Sequence, residues 1–160
     1  MSLSRREAVT TSTNVDRALS FVDTNVLVYA FQKTPSPKTV VAKKLLDELI
    51  LMQRLRVSTQ VLQELFVNLT GKTKPACSFD EVLRILDALA AWPLEVIDYS
   101  TIRESIELAK QAKISFWYAL IVVAAANSGA IILYTEDLNH GQEIFGVRIF
   151  NPFKSPVDLH

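Results

Sequence analysis

The sequence predicts an α/β protein, a three-layer α/β/α sandwich around a central, mainly parallel sheet of about five strands. Three observations carry that expectation. Short apolar strand patterns alternate with helical ones along the chain, and helical crossovers join parallel rather than antiparallel neighbours. Hydrophobic residues make up 49% of 160 residues, enough to bury the core of one domain of this kind. Two apolar strands, ending near Val22 and Tyr134, are each followed within two residues by an acid, and open α/β sheets place ligands at the carboxyl ends of their strands.

The elements follow in order. Phe21-Val22 reads as a short strand, and residues 25–31 have helical character that stops before Pro35 and Pro37. Residues 39–55 form an amphipathic helix, with Val41, Leu45, Leu46, Leu49 and Met52 recurring at steps of three and four. Arg56-Val57 is a second strand. Ser58 or Thr59 then caps a helix through Glu64 to Thr70, ended by Gly71. After a loop over 72–78, Ser78 and Glu81 have capping-box spacing for a helix that closes near Trp92-Pro93. Residues 94–97 read as a strand, and a helix starts at Ser100 and runs to about Gln111. Ser115 caps an apolar helix through Asn127 that Gly129 terminates. Residues 130–134 form the strongest strand pattern, 136–140 a short helical turn, and 147–150 the last strand.

The expected domain spans 19–151, with a flexible polar arm over 1–18 and an irregular tail over 152–160 that contains Pro152 and Pro156. Lys and Arg number 17 and Asp and Glu 17, so no basic excess marks a tight, non-specific nucleic-acid binder. That balance leaves room for an RNA-cutting enzyme whose bound cations offset carboxylate charge. Cys77 is the only cysteine, which excludes an internal disulfide and a thiolate metal cluster and fits a cytoplasmic location. The apolar run over 116–126 is too short to span a bilayer, and the N-terminus lacks a signal peptide's apolar stretch. No membrane partner is expected.

Asp23, Glu64 and Asp137 are the candidate site acids. Each also has a plainer role available. Asp23 suits a helix N-cap, Glu64 a solvated helix face beside Gln60 and Asn68, and Asp137 a cap or Asx-turn. Glu136 is an alternative to Asp137; Thr24, Asn25 and Thr135 are supporting polar groups, Thr135 as N-cap or as a donor that orients a ligand. Caps alone do not explain why three acids reach one sheet edge. Like charges about 5 Å apart repel by about 3 kcal/mol at an effective dielectric near 20, so gathered carboxylates call for raised pKa values or a cation. A hard divalent ion, Mg²⁺ with Mn²⁺ as the alternative, suits all-oxygen ligands and can activate water against a phosphate. His140 and His160 read as surface residues, which leaves zinc without support.

The segments Phe21-Val22-Asp23-Thr24-Asn25-Val26-Leu27-Val28-Tyr29, Gln60-Val61-Leu62-Gln63-Glu64, Ser115-Phe116-Trp117-Tyr118-Ala119-Leu120-Ile121 and Leu133-Tyr134-Thr135-Glu136-Asp137-Leu138-Asn139-His140-Gly141 resemble the PIN domain. In particular they resemble VapC-like toxins of bacterial type II toxin–antitoxin systems, over about residues 19–150. The resemblance implies a Mg²⁺- or Mn²⁺-dependent endoribonuclease that cleaves RNA with metal-activated water and is neutralised by an antitoxin protein. It implies metal-binding roles for Asp23, Glu64 and Asp137. It also implies a further acid after Trp117, where this chain has Tyr118.

With Ser115 as N-cap, position 118 is the third residue of a helix, where a carboxylate would be favoured by the helix dipole. Tyr118 brings no such charge near pH 7. It reads either as a core aromatic of the Phe116, Trp117, Tyr118 cluster or as an inactivating substitution at an acidic position. Either way weaker metal binding and low or absent cleavage are expected. The competing expectation is a catalytically dead PIN-fold module that binds protein or RNA. Phosphotransfer on Asp23 is disfavoured, because Asn25 stands where that chemistry needs a second acid. Arg54, Arg56, Lys72, Lys74 and Lys113 are either phosphate contacts or scattered solvated charges. The apolar helices leave room for a homodimer and for an antitoxin segment in or beside the acidic crevice.

Overall fold

The computed structural model describes residues 17–71, 73 and 75–154. Most of the expected N-terminal arm, the expected tail beyond residue 154, and Lys72 and Lys74 lie outside them. Ala18 is already buried, its carbonyl accepting from Arg54 Nε at 2.7 Å.

Six strands form one sheet in the order β3-β2-β1-β4-β6-β5. They are β1 (Ser20–Val22), β2 (Leu55–Ser58), β3 (Leu94–Glu95), β4 (Ile132–Tyr134), β5 (Glu143–Ile144) and β6 (Val147–Phe150). The helices are α1 (Thr24–Phe31), α2 (Pro37–Leu51), α3 (Thr59–Leu69), α4 (Phe79–Ala90), α5 (Tyr99–Ala112) and α6 (Phe116–Asn127). β1 to β4 and β6 pair in parallel, and only β5 runs antiparallel, against β6. Helices cover both faces of this sheet. α6 lies along β2, β3, β4 and β6 with α5 packed on it, while α1 packs against both α2 and α3, α4 packs on α3, and α2 and α3 reach β2. No single helix among the described residues is long and apolar enough to cross a membrane.

The apolar periodicity becomes one core. Phe21, Leu27, Leu45, Leu49, Leu65 and Leu133 are all fully buried in it. Each such side chain contributes about 1.5–3 kcal/mol relative to exposure. α6 is apolar all round because it is sandwiched, and its residues from Ala119 to Ala125 are buried.

Several expectations need correction, each for a local reason. The helix over 25–31 does stop before Pro35, but α2 starts at Pro37 rather than at residue 39, because proline suits the first helical position, and Ser36 caps that helix through Thr39 N at 3.1 Å. α2 ends at Leu51, where Gln53 turns the backbone at φ 57° and frees Leu55 to join β2. Asp98, not Ser100, caps α5, accepting from Thr101 N at 2.8 Å. Residues 136–140 form bends and turns instead of a helical turn. The sheet has a sixth strand because Phe145 and Gly146 take positive φ, 54° and 75°, and close a tight hairpin into β6.

Candidate metal centre

The site begins with the register of two strands. β1 lies between β2 and β4, so the strand order reverses beside it. Val22 pairs with Tyr134, and Asp23 N donates to the Tyr134 carbonyl at 3.0 Å. Asp23 and Thr135 therefore leave the sheet side by side. α1 starts at once, with Asp23 as its N-cap, Oδ1 accepting from Thr24 N at 2.7 Å. The plain role and the site role of Asp23 are thus compatible, one oxygen serving each.

The other oxygen, Oδ2, accepts from Thr135 Oγ1 at 2.9 Å and Asn25 Nδ2 at 3.2 Å. Thr135 is fully buried and its hydroxyl is saturated. It donates to Asp23 and accepts from Asn25 Nδ2 at 3.1 Å and Asp137 N at 3.2 Å. Asn25 joins both halves of the site. Its amide also donates to Asp137 Oδ2 at 3.0 Å, and its carbonyl accepts from Glu136 N at 3.3 Å.

Glu64 arrives from α3. Ser58 caps that helix through Val61 N at 3.3 Å. Glu64 Oε2 accepts from Thr24 Oγ1 at 2.9 Å and Oε1 from Gln60 Nε2 at 2.8 Å. Asn68 Nδ2 donates to the Glu64 carbonyl at 2.8 Å, so the helix face expected from the spacing of Gln60, Glu64 and Asn68 forms.

Asp23, Glu64, Glu136 and Asp137 line one open cleft of about 420 Å³. Glu136 and Asp137, alternatives in the sequence, separate here by partner. Glu136 Oε2 accepts from Lys38 Nζ at 2.6 Å, whereas Asp137 turns to Asn25. Asp23 is the electrostatic centre. Burial pushes its carboxyl up to about 6, helped by the negative charges of Glu64 and Asp137 and opposed by its bonds from Thr135 and Thr24.

Does this donor set fit a divalent cation? All donors are hard carboxylate or hydroxyl oxygens, and Asp23, Glu64 and Asp137 line the same cleft. Cys77 is buried in the core and His140 Nδ1 accepts from Asn151 N at 3.1 Å, so no soft ligand competes. Among the described residues no three His, Cys, Asp or Glu side chains gather tightly enough to cage an ion. The set fits an ion that keeps several waters and touches one or two carboxylates, as Mg²⁺ characteristically does.

Of the two expectations for Tyr118, the core aromatic does not hold. Ser115 caps α6 as expected, accepting from Tyr118 N at 3.2 Å. The tyrosine side chain is 38% exposed and Trp117 62%, so neither is a core aromatic. Tyr118 is not among the residues lining the acidic cleft. Of the basic candidates, Arg54 is buried and bonded to Ala18, and Arg56 Nη1 donates to the Leu55 carbonyl at 2.8 Å. Lys38, outside that lining, bonds to two residues within it, Tyr29 and Glu136; apolar periodicity did not single it out, and its signal was a lysine in the first turn of a proline-led helix.

A family model for the PIN domain matches residues 20–142. No curated protein sequence matches. Among solved structures, a toxin–antitoxin complex from Klebsiella pneumoniae is 20% identical with a TM-score of 0.61, covering 83% of this chain and 97% of its own. VapBC2 from Rickettsia felis, bound to a DNA fragment from its promoter, is 19% identical with a TM-score of 0.54, covering 81% and 96%. DNA-bound VapBC from Salmonella typhimurium is 20% identical with a TM-score of 0.53, covering 82% and 96%. At these identities the likeness is one of fold.

Proposed function

The chain belongs to the PIN domain family, and from that membership we propose that it is a toxin-type, metal-dependent endoribonuclease whose activity is low because Tyr118 replaces an acid. One observation carries the reading: acids from β1, α3 and the segment after β4 converge on a single cleft at the point where the strand order reverses. Structural likeness to toxin–antitoxin proteins supports it.

Mg²⁺, or Mn²⁺, would be held among Asp23, Glu64 and Asp137, touching one or two of them and meeting the rest through its waters. Such an ion acidifies water and withdraws charge from a phosphate. The chain's own residues prepare that chemistry. Thr135 and Asn25 fix the Asp23 carboxylate, Thr24 and Gln60 fix Glu64, and Asn25 fixes Asp137. Every acid is thus oriented by a neutral donor, and a positioned ligand loses little freedom when it engages. RNA is the substrate in this reading and an antitoxin protein the partner, seated in or beside the cleft, where a basic side chain would compete with the ion. A homodimer and a cytoplasmic location complete it.

A second reading, a catalytically dead binding module, draws support from Tyr118 and from the absence of a tight three-carboxylate group among the described residues. Thermal unfolding in Mn²⁺ separates the two, since an ion that binds only the native state stabilises it by mass action. The nuclease reading expects a rise in Tm at millimolar Mn²⁺ that Asp23→Asn abolishes. An unchanged Tm supports the binding module.

A further inference from the structure

A polyanion entering a cleft walled by carboxylates needs a cation to receive it. Among the described residues, Lys38 is the basic side chain paired with a carboxylate of this cleft, its Nζ 2.6 Å from Glu136 Oε2. Nζ also donates to the Tyr29 hydroxyl at 3.3 Å, and these two bonds raise the Lys38 pKa above its ordinary value, Glu136 contributing most. The ammonium lies 4.9 Å from the Tyr29 ring centroid and 5.1 Å from that of Phe153, two rings that meet edge-on.

The charge is therefore held in place on several sides. It is also accessible, the side chain being 43% exposed. An ammonium has three N–H donors; two are engaged, and the third has no protein acceptor among the described residues.

Fold stability gives little reason for the arrangement. Lys38 sits in the first turn of α2, where the helix dipole disfavours a cation, and that turn contains no acid. A partly exposed Lys–Glu pair contributes little to stability. Yet Lys38 bridges two elements remote in sequence, and both Tyr29 and Glu136 line the cleft.

We propose that Lys38 is a positioning residue for substrate: its ammonium receives a backbone phosphate of single-stranded RNA at the mouth of the acidic cleft, exchanging Glu136 for that phosphate. Glu136 is then the anion that keeps the lysine aimed before RNA arrives and competes with RNA afterwards. The assignment rests on the ribonuclease reading above.

Fluorescence anisotropy of a labelled single-stranded RNA oligomer, in buffer containing Ca²⁺ and titrated with salt, tests it on the full chain. Lys38→Gln weakens binding about fivefold or more and flattens the slope of log K against log salt by about 0.7, the loss of one phosphate contact on a single strand. Lys38→Arg retains most of the affinity. Glu136→Gln tightens binding, because the competing anion is gone, whereas a purely structural pair would weaken it in both variants. Lys43→Gln, an exposed charge on the same helix, changes affinity less than about twofold. Thermal unfolding of each variant verifies a folded protein. If Lys38→Gln binds like the parent with the same salt slope, or if Lys38→Gln and Glu136→Gln both weaken binding, the assignment of Lys38 is wrong while the nuclease reading stands. If the parent chain binds no RNA at any salt concentration, the nuclease reading and the Lys38 assignment fall together.

Discussion

Asp23 and Glu81 both belong to helix starts, yet the protein treats them in opposite ways. Glu81 completes the capping box of α4, accepting from Ser78 N at 2.7 Å, with Lys33 Nζ at 3.1 Å. Those partners, the backbone bond first, pull its carboxyl down to about 2. Asp23 caps α1 with comparable geometry, but burial beside Glu64 and Asp137 pushes it up to about 6. The first carboxylate favours the folded state when ionised; the second opposes it. An acid kept where it costs stability, while ordinary neutral caps such as Ser36 and Ser58 serve other helices, is what the proposed metal-binding role of Asp23 expects.

The largest expected effect tests the functional half of that contrast. Asp23→Asn keeps a good N-cap but removes the charge, so RNA cleavage falls about 100-fold or more. Glu81→Gln leaves cleavage unchanged. An Asp23→Asn protein that cuts as well as its parent breaks the comparison. Next is Tyr118→Asp. If position 118 belongs to the metal centre, this variant raises Mg²⁺-dependent cleavage about tenfold or more and enlarges the Mn²⁺-induced rise in Tm; equal activity in both proteins refutes the account of Tyr118.

Stability measurements sharpen the other half. A carboxyl raised from 3.8 to about 6 carries no penalty below pH 4, where both states are protonated, and its full penalty above pH 6. The metal-free protein therefore loses up to about 3 kcal/mol between pH 4 and 7 from this group. Asp23→Asn flattens that slope, as urea titrations across pH would report; a slope unchanged by the substitution contradicts the burial argument. Glu81 has the reverse sign. Its contribution is complete above its ordinary value of 4.5 and is lost as pH falls toward 2. The smallest effects lie here: Ser78→Ala costs about 1 kcal/mol through the lost cap, and Glu81→Gln, which can still close the box, lowers Tm less than Ser78→Ala does.

Much of the architecture was legible because it depends on local patterns. The Ser78–Glu81 box, the Ser115 cap and the parallel strands all form where spacing placed them. Alternation of strand and helix implied crossovers, and an apolar strand ending in Asp implied a sheet edge. Misreadings fell where one residue type serves opposite purposes. Pro37, which the helix before it does not reach, also begins the next helix two residues ahead of the expected start, and Phe145 with Gly146 closes a hairpin that no strand-like run announces. Arg54 looked like a surface cation and is buried, because its partner, the Ala18 carbonyl, is distant in sequence. Aromatic character offered Tyr118 a core place as one of two readings, although the first turn of α6 leaves it 38% exposed.

The sequence alone determined which helix or strand end carries each candidate acid, because caps, periodicity and strand termini are decided within a few residues. Tertiary structure decided the rest. The Val22–Tyr134 register sets Asp23 beside Thr135, and Asn25 ties Asp23 to Asp137. The seating of Lys38 on Glu136 and the exposure of Tyr118 are likewise properties of packing. The physical reason is distance along the chain: contacts between residues 98 to 112 positions apart depend on how elements stack, and no local pattern encodes that.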